Sequence, residues 1–292
     1  MDPDPKLRLS LVQQAPVLGD LSANLDRARS AIREERAQGA DLVVFPELSL
    51  SGYFLKDLTP EVAIRLQGPE VAALVEAVGE GAALVGTVLE SPSFTFHNAA
   101  LLVAGGAVRH VHRKVYLPTY GIFDEQRHLA AGDAFDVVDL TPASGQTWRL
   151  GFLICEDLWH PSAPYLLSRA GADLLLCPSA SPGRGVAGEG SELGSAASYA
   201  AMLRTYSELF TVFSAYCNRV GFEDGYHFWG GSRVLGPDGG VLAGPAGAGD
   251  ERLRCVLDRR QLRRARIAYP LLRDERVDLV RRQLGPEADV PA

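Results

Sequence analysis

Eight short apolar runs, each of strand length, constrain this chain more than any other feature. They are Leu7–Val12, Asp41–Phe45, Ala82–Val88, Ala99–Val103, Trp148–Cys155, Asp173–Cys177, Phe210–Ala215 and Leu253–Leu257. Near-continuous apolar character over so few residues marks a strand covered on both faces. Amphipathic stretches lie between the runs. Leu21, Leu25, Ala28 and Ile32 share one helical face, with Gly39 as the stop. Val71, Leu74, Val75 and Val78 form a second stripe, and much of Glu192–Leu209 reads as a third helix. Buried strands alternating with helices predict an α/β protein.

The chain also repeats itself. Gly39-Ala40-Asp41-Leu42 leads through apolar residues to Pro46 and Ser49, and Gly171-Ala172-Asp173-Leu174 leads in the same way to Pro178 and Ser181. Either two similar β/α halves pack together in one domain, or two buried strands agree by chance. The glycine- and proline-rich segments Ser181–Gly194 and Gly236–Gly249 read as loops, the first long enough to wall a site. From Arg259 onward the chain is densely charged around the apolar Tyr269-Pro270-Leu271-Leu272. That gives a domain over residues 1–258 and an arm over 259–292, either a solvated terminal helix or a clasp for a second subunit.

Charge and cysteine usage remove several function classes. Among 292 residues, 29 are basic and 36 acidic, a formal net charge of −7. An acidic balance opposes nucleic-acid and anionic-membrane surfaces, which need basic patches. No apolar run approaches the roughly 18 residues of a membrane-spanning helix. The start, MDPDPKLRLS, lacks the layout of an export signal, so the expected location is cytoplasmic. Cys155, Cys177, Cys217 and Cys255 form no CxxC pair, which removes the usual zinc and redox readings. The six histidines show no ligand spacing, with His110 and His112 read as facing opposite sides of a strand.

Three strand ends carry groups able to do chemistry. Leu42–Phe45 runs through Pro46 into Glu47, His110–Arg113 into Lys114, and Leu150–Ile154 into Cys155-Glu156-Asp157. Singly, each has an ordinary explanation: a surface acid, a snorkelling lysine, a small core cysteine. The other three cysteines keep that explanation, since no acid or base accompanies them. Together, the three ends supply a thiol nucleophile, a base to deprotonate it and a cation to stabilise an oxyanion.

These residues resemble the nitrilase (carbon–nitrogen hydrolase) superfamily and its Glu-Lys-Cys triad. The matching segments are Phe45-Pro46-Glu47 with Ser51-Gly52-Tyr53, Arg113-Lys114-Val115-Tyr116-Leu117-Pro118, and Ile154-Cys155-Glu156-Asp157. Asn218-Arg219-Val220-Gly221 and Phe228-Trp229-Gly230-Gly231-Ser232 also match, so the likeness runs in order along nearly the whole chain. Within the superfamily, Tyr120–Glu125 and Cys155–Trp159 most resemble the glutaminase domain of glutamine-dependent NAD synthetases. There, the residues corresponding to Tyr53, Tyr120, Phe123, Glu156 and Ser181 line the substrate pocket. Two departures stand out. No SGGxDS-like loop of an ATP-using synthetase is present, so a stand-alone amidase is expected. The pocket arginine expected about six residues after the serine falls on Ala187, while Arg184 comes three residues early, which places glutamine in doubt.

The resemblance implies a four-layer α-β-β-α sandwich, normally dimeric, working without metal or organic cofactor. It implies that Glu47 takes the Cys155 proton, that Lys114 and the Glu156 N–H hold the oxyanion, and that Glu125 orients Lys114 or the substrate. The leading expectation is hydrolysis of a small linear amide or carbamoyl compound with ammonia release through a thioester. A glutaminase subunit feeding a separate synthetase, or a non-catalytic scaffold, are the alternatives. A papain-like Cys-His enzyme would need a local motif absent around Cys155. If the thiol is activated at rest, it should react with electrophiles well below the pKa of about 8.5 of a free thiol.

Overall fold

A computed structural model describes residues 5–142, 145–185 and 193–285. In chain order the strands are β1 (Lys6–Gln13), β2 (Leu42–Val44), β3 (Ala82–Glu90), β4 (Phe96–Ala104), β5 (Ala107–Arg113), β6 (Val137–Leu140) and β7 (Trp148–Phe152). They continue as β8 (Leu174–Ser179), β9 (Phe213–Asn218), β10 (Val220–Glu223), β11 (Tyr226–Trp229), β12 (Arg233–Leu235), β13 (Val241–Ala243) and β14 (Glu251–Asp258). One six-stranded sheet has the order β14-β1-β2-β3-β4-β5, a second has β13-β12-β9-β8-β7-β6, and β10-β11 form a separate hairpin. In the first sheet β2 runs parallel to β1 and β3; in the second, β8 runs parallel to β7 and β9. All other pairings are antiparallel.

Side-chain alternation explains the layering. On β1, Leu7, Leu9 and Leu11 pack in one cluster with Leu150, Phe152, Leu174, Leu176 and Phe213 of the second sheet. The opposite side of the first sheet, including Val43, Ala83 and Val85, packs on Ala28, Ala31 and Ile32 of the helix Leu21–Ala37 and on Val71, Leu74 and Val78 of the helix Pro69–Val78. The helices Ser162–Arg169 and Gly194–Phe210 bring Leu167, Tyr199 and Leu203 against the second sheet. The result is the four-layer α-β-β-α sandwich, with the sheets face to face and helices outside.

The repeat is geometric as well as textual. Gly39 and Gly171 have φ of +87° and +90°, and the aspartate two residues on closes the same turn. Asp41 N donates to Arg8 O and Asp173 N to Arg149 O, both at 2.8 Å, while each carboxylate accepts the N–H of that same arginine. The two-halves reading therefore holds.

Three local expectations need correction. The strand expected over Trp148–Cys155 stops at Phe152, because Asp157 captures the Ile154 N–H at 2.8 Å and the chain turns into a short 3-10 segment, Cys155–Trp159. The strand expected over Phe210–Ala215 begins at Phe213; Phe210 ends a helix that Thr211 closes in the left-handed region at φ +46°. His110 and His112 share a face, since alternate residues of a strand point the same way; they stand opposite Leu102 and Ala100. The segment from residue 259 opens with the helix Arg259–Ala268, in which Leu262 and Ala265 are buried and Arg259 and Arg266 pair with Asp173.

Candidate active site

Glu47 emerges just past the end of β2, where Phe45 N still bonds to Leu84 O of β3. Gly86 on β3 makes room: a Cβ there would lie 2.4 Å from Pro46 O and 2.6 Å from Leu48 N. The Glu47 carboxylate is 1% exposed and fully hydrogen-bonded. Oε1 accepts from Asn98 Nδ2 and Lys114 Nζ, both at 2.7 Å, and Oε2 accepts from Ala180 N at 2.7 Å. The last bond reaches from one repeat to the other.

Lys114 follows β5 and is wholly buried. Its ammonium lies between Glu47 Oε1 at 2.7 Å and Glu125 Oε1 at 2.6 Å. Burial opposes the charge, but the two carboxylates outweigh it and hold the Lys114 pKa well above the ordinary value. Glu125 opens a single helical turn, Glu125–His128, and also accepts from the Tyr53 hydroxyl. Burial raises its pKa to about 7, with Lys114 pulling the other way and Glu47 adding to the rise.

Cys155 occupies the first position of the 3-10 segment with φ +47°, a left-handed conformation rare for a side-chain-bearing residue. Such strain concentrates at functional turns and persists only where neighbours over-determine it. Asp157 is the determinant: its carboxylate accepts from Ile154 N at 2.8 Å, Val115 N at 3.1 Å, Tyr116 N at 3.0 Å and bonds His112 Nε2 at 3.0 Å. One buried acid thus ties the Cys155 turn to the segment following Lys114. The Cys155 sulfur meets Tyr199 Oη at 3.2 Å.

Burial, followed by the Glu47 carboxylate, pushes the Cys155 thiol well above its ordinary pKa, with Lys114 acting in the opposite direction. The expectation of a low-pKa thiol at rest is therefore reversed. Lys114 and the Tyr199 hydroxyl favour the thiolate, but burial and the Glu47 charge prevail, so the group at rest is the neutral thiol.

A cavity of about 360 Å³ opens beside Cys155, and Tyr53, Tyr120, Phe123, Glu156 and Ser181 all line it. Tyr120 Oη donates to Glu156 at 2.9 and 3.1 Å, and burial raises the Glu156 pKa. Ser181 N donates to Asn218 Oδ1 at 2.8 Å, fixing the serine at the end of β8. Arg184 also lines the cavity, its guanidinium carbon 5.4 Å from the Tyr120 ring centre and 5.3 Å from that of Phe123. Position 187 and most of the Pro182–Gly194 loop lie outside the described residues. Asn98, Tyr199 and Arg184 are the residues that sequence reasoning left unassigned. Tyr199 reads as one more apolar position of an amphipathic helix, and Asn98 as a polar interruption of a strand. Only Arg184 carried a signal, as an arginine near the expected place.

A sandwich of two matched sheets, with a buried acid–lysine–acid cluster and a strained cysteine beside a cavity, defines a class of thiol-bearing α/β hydrolase. The sequence model for the carbon–nitrogen hydrolase family matches residues 8–266, and the chain belongs to that family. It is 33% identical over 241 residues to the glutamine-dependent NAD(+) synthetase of Thermotoga maritima, covering 81% of this chain and 39% of that protein. The chain thus spans about two-fifths of the length of that synthetase. A protein of Pseudomonas protegens described as a hydrolase in the pqqF 5′ region is 31% identical, covering 94% of this chain and 90% of its own. Among solved structures, an amidase from Nesterenkonia sp. AN1 has 25% identity and a TM-score of 0.76 over 95% of this chain and 99% of its own. A mutant of that amidase carries acrylamide joined by Michael addition at its active-site cysteine. Among the described residues, no helix is long and apolar enough to cross a membrane.

Proposed function

We propose that this protein is an amidase that releases ammonia from a small linear amide or carbamoyl compound through a Cys155 thioester. The observation that carries the reading is Lys114, buried between Glu47 and Glu125, with the charges of Glu47 and Lys114 both acting on the Cys155 thiol. Glu47 takes the thiol proton as sulfur bonds to the amide carbon. The oxyanion is held by Lys114 and the Glu156 N–H. A positioned donor of this kind contributes about 2.7–4 kcal/mol. The C–N bond then breaks, Glu47 returns its proton to the leaving nitrogen, and ammonia departs. Water, deprotonated by Glu47, cleaves the thioester and regenerates the thiol. Tyr53, Tyr120, Phe123, Glu156 and Ser181 bind the substrate. Cys155→Ala should abolish ammonia release while the thermal unfolding transition persists; residual turnover within tenfold of wild type would remove the nucleophile assignment.

A second reading, a glutaminase supplying a separate synthetase, has specific support in Arg184. Its place in the cavity wall suits an amide that also bears a carboxylate, glutamine included. A screen of ammonia release over small amides separates the readings. Preference for carboxylate-bearing amides, lost in Arg184→Ala, favours the second; indifference to the carboxylate favours the first.

We also propose a homodimer or higher homo-oligomer. Ile267, Tyr269, Leu271, Leu279 and Leu284 stand exposed along the C-terminal segment, an apolar set that a second subunit would cover. Light scattering at micromolar concentration should give at least twice the 31.4 kDa chain mass; a monomer would count against the proposal.

A further inference from the structure

The β10-β11 hairpin belongs to neither large sheet, yet it touches both walls of the cavity. On β10, Glu223 is 6% exposed. Its Oε1 accepts two consecutive backbone N–H groups, Tyr53 and Phe54, each at 2.7 Å and 169 or more residues away in sequence. Its Oε2 meets Arg219 Nη1 at 2.5 Å, and the Arg219 guanidinium lies 4.1 Å from the centre of the Phe228 ring. On β11, His227 O accepts the Gly183 N–H at 2.7 Å, and Trp229 Nε1 donates to Ser181 Oγ at 3.4 Å.

The segment that Glu223 grips does not rest in an easy conformation. Leu48 and Lys56, on either side of it, both have φ +49°, disfavoured for residues with side chains. Gly52, at φ +82°, has no room for a side chain: a Cβ would lie 2.9 Å from Glu223 Oε2 and 2.9 Å from Leu18 Cα. A strained segment of this kind keeps its shape only when something external fixes it. A buried carboxylate accepting two backbone donors does so directionally, whereas apolar packing does not.

We infer that Glu223, anchored by Arg219, is a positioning residue that sets the Tyr53 ring in the cavity wall and, through the Tyr53 hydroxyl, orients Glu125 against Lys114. The linkage runs from Glu223 to the Tyr53 backbone, from Tyr53 Oη to Glu125 Oε1, and from the same oxygen to Lys114 Nζ. Its kinetic consequence rests on the amidase reading above; its structural consequence does not.

The test uses the full chain with 3-fluorotyrosine at position 53, read by fluorine NMR, beside amide kinetics. Glu223→Ala should shift or split the fluorine resonance and lower kcat/KM by about 10-fold or more, with KM and kcat both affected. Glu223→Gln keeps an oxygen within reach of both N–H groups and should leave the resonance near the wild-type position. In a Tyr53→Ala background, Glu223→Ala should change kcat/KM by less than about 2-fold, because neighbours acting through one group are not additive. If Glu223→Ala does not fold, Glu223→Asp replaces it: the charge facing Arg219 remains while the reach to Tyr53 is lost, so the resonance should still move. An unchanged resonance in a folded Glu223→Ala or Glu223→Asp protein overturns the inference, as does an undiminished effect in the Tyr53→Ala background. If wild type hydrolyses no amide, the functional reading fails while the resonance still decides the positioning role.

Discussion

The two repeats begin with the same turn and end in different chemistry. At Asp41 the turn lies near the surface: its carboxylate pairs at 3.6 Å with Arg8, a side chain 45% exposed. At Asp173 the same turn is 1% exposed, and the carboxylate binds Arg259 at 2.9 Å and Arg266 at 3.3 Å on the helix that follows β14. The strands they launch also diverge. β2 leads to the Glu47 carboxylate, and β8 leads to the Ala180 N–H that donates to it. A duplicated scaffold places two strand ends face to face; the sequence at each end then decides which provides charge and which provides a donor.

The largest expected effect comes from removing the charge that the first half supplies. Lys114→Met leaves Glu47 and Glu125 buried without their cation and, in the proposed mechanism, removes an oxyanion donor. Ammonia release should fall by about 10²–10³-fold or more, and urea denaturation should show a loss of about 3–5 kcal/mol. Activity within tenfold of wild type would show that the cluster is only structural.

Next in size is the contrast between the two turns themselves. Asp173→Ala leaves Arg259 and Arg266, each about a third exposed, without their shared buried carboxylate and should cost about 2–3 kcal/mol in urea denaturation. Asp41→Ala removes a pair with an exposed partner and should cost about 1 kcal/mol, mostly the Arg8 N–H bond. Equal losses would break the distinction between a docking turn and a surface turn.

A smaller effect concerns pH. Burial raises the Glu125 pKa to about 7 from an ordinary 4.5. The unfolded chain therefore ionises this acid before the folded protein does. Its contribution to stability is full below pH 4.5 and is lost as pH rises toward 7. Glu125→Gln should flatten that part of the curve of stability against pH. A wild-type slope retained in the variant would assign the titration elsewhere.

Much of this was legible in the chain. Apolar runs identified β1, β3 and β4, because a strand buried on both faces leaves little room for polar residues, while the edge strand β14, mostly exposed or half-buried, showed only through the short run Leu253–Leu257. The hairpin β10-β11 and the three-residue strands β12 and β13 were not legible, since three or four residues are too few to show a periodicity. Glu47, Lys114 and Cys155 stood out because a charged or nucleophilic group at the end of an apolar run is chemically conspicuous. Asn98, Tyr199 and Glu223 did not, because each acts on a partner dozens of residues away and looks locally like an ordinary strand or helix residue. The resting state of the thiol was also beyond the sequence. It depends first on how deeply the sulfur is buried and then on the opposing charges of Glu47 and Lys114, a balance that only three-dimensional placement sets.

The central claim is that the two halves meet to make a thioester on Cys155. Acid-quenched mass spectrometry during turnover of an amide found in the screen tests it most directly. The account predicts an acyl group, equal to the substrate less ammonia, on the peptide containing Cys155 and absent from Cys155→Ala. An acyl group on another residue, or ammonia release by Cys155→Ala at a rate near wild type, would contradict it.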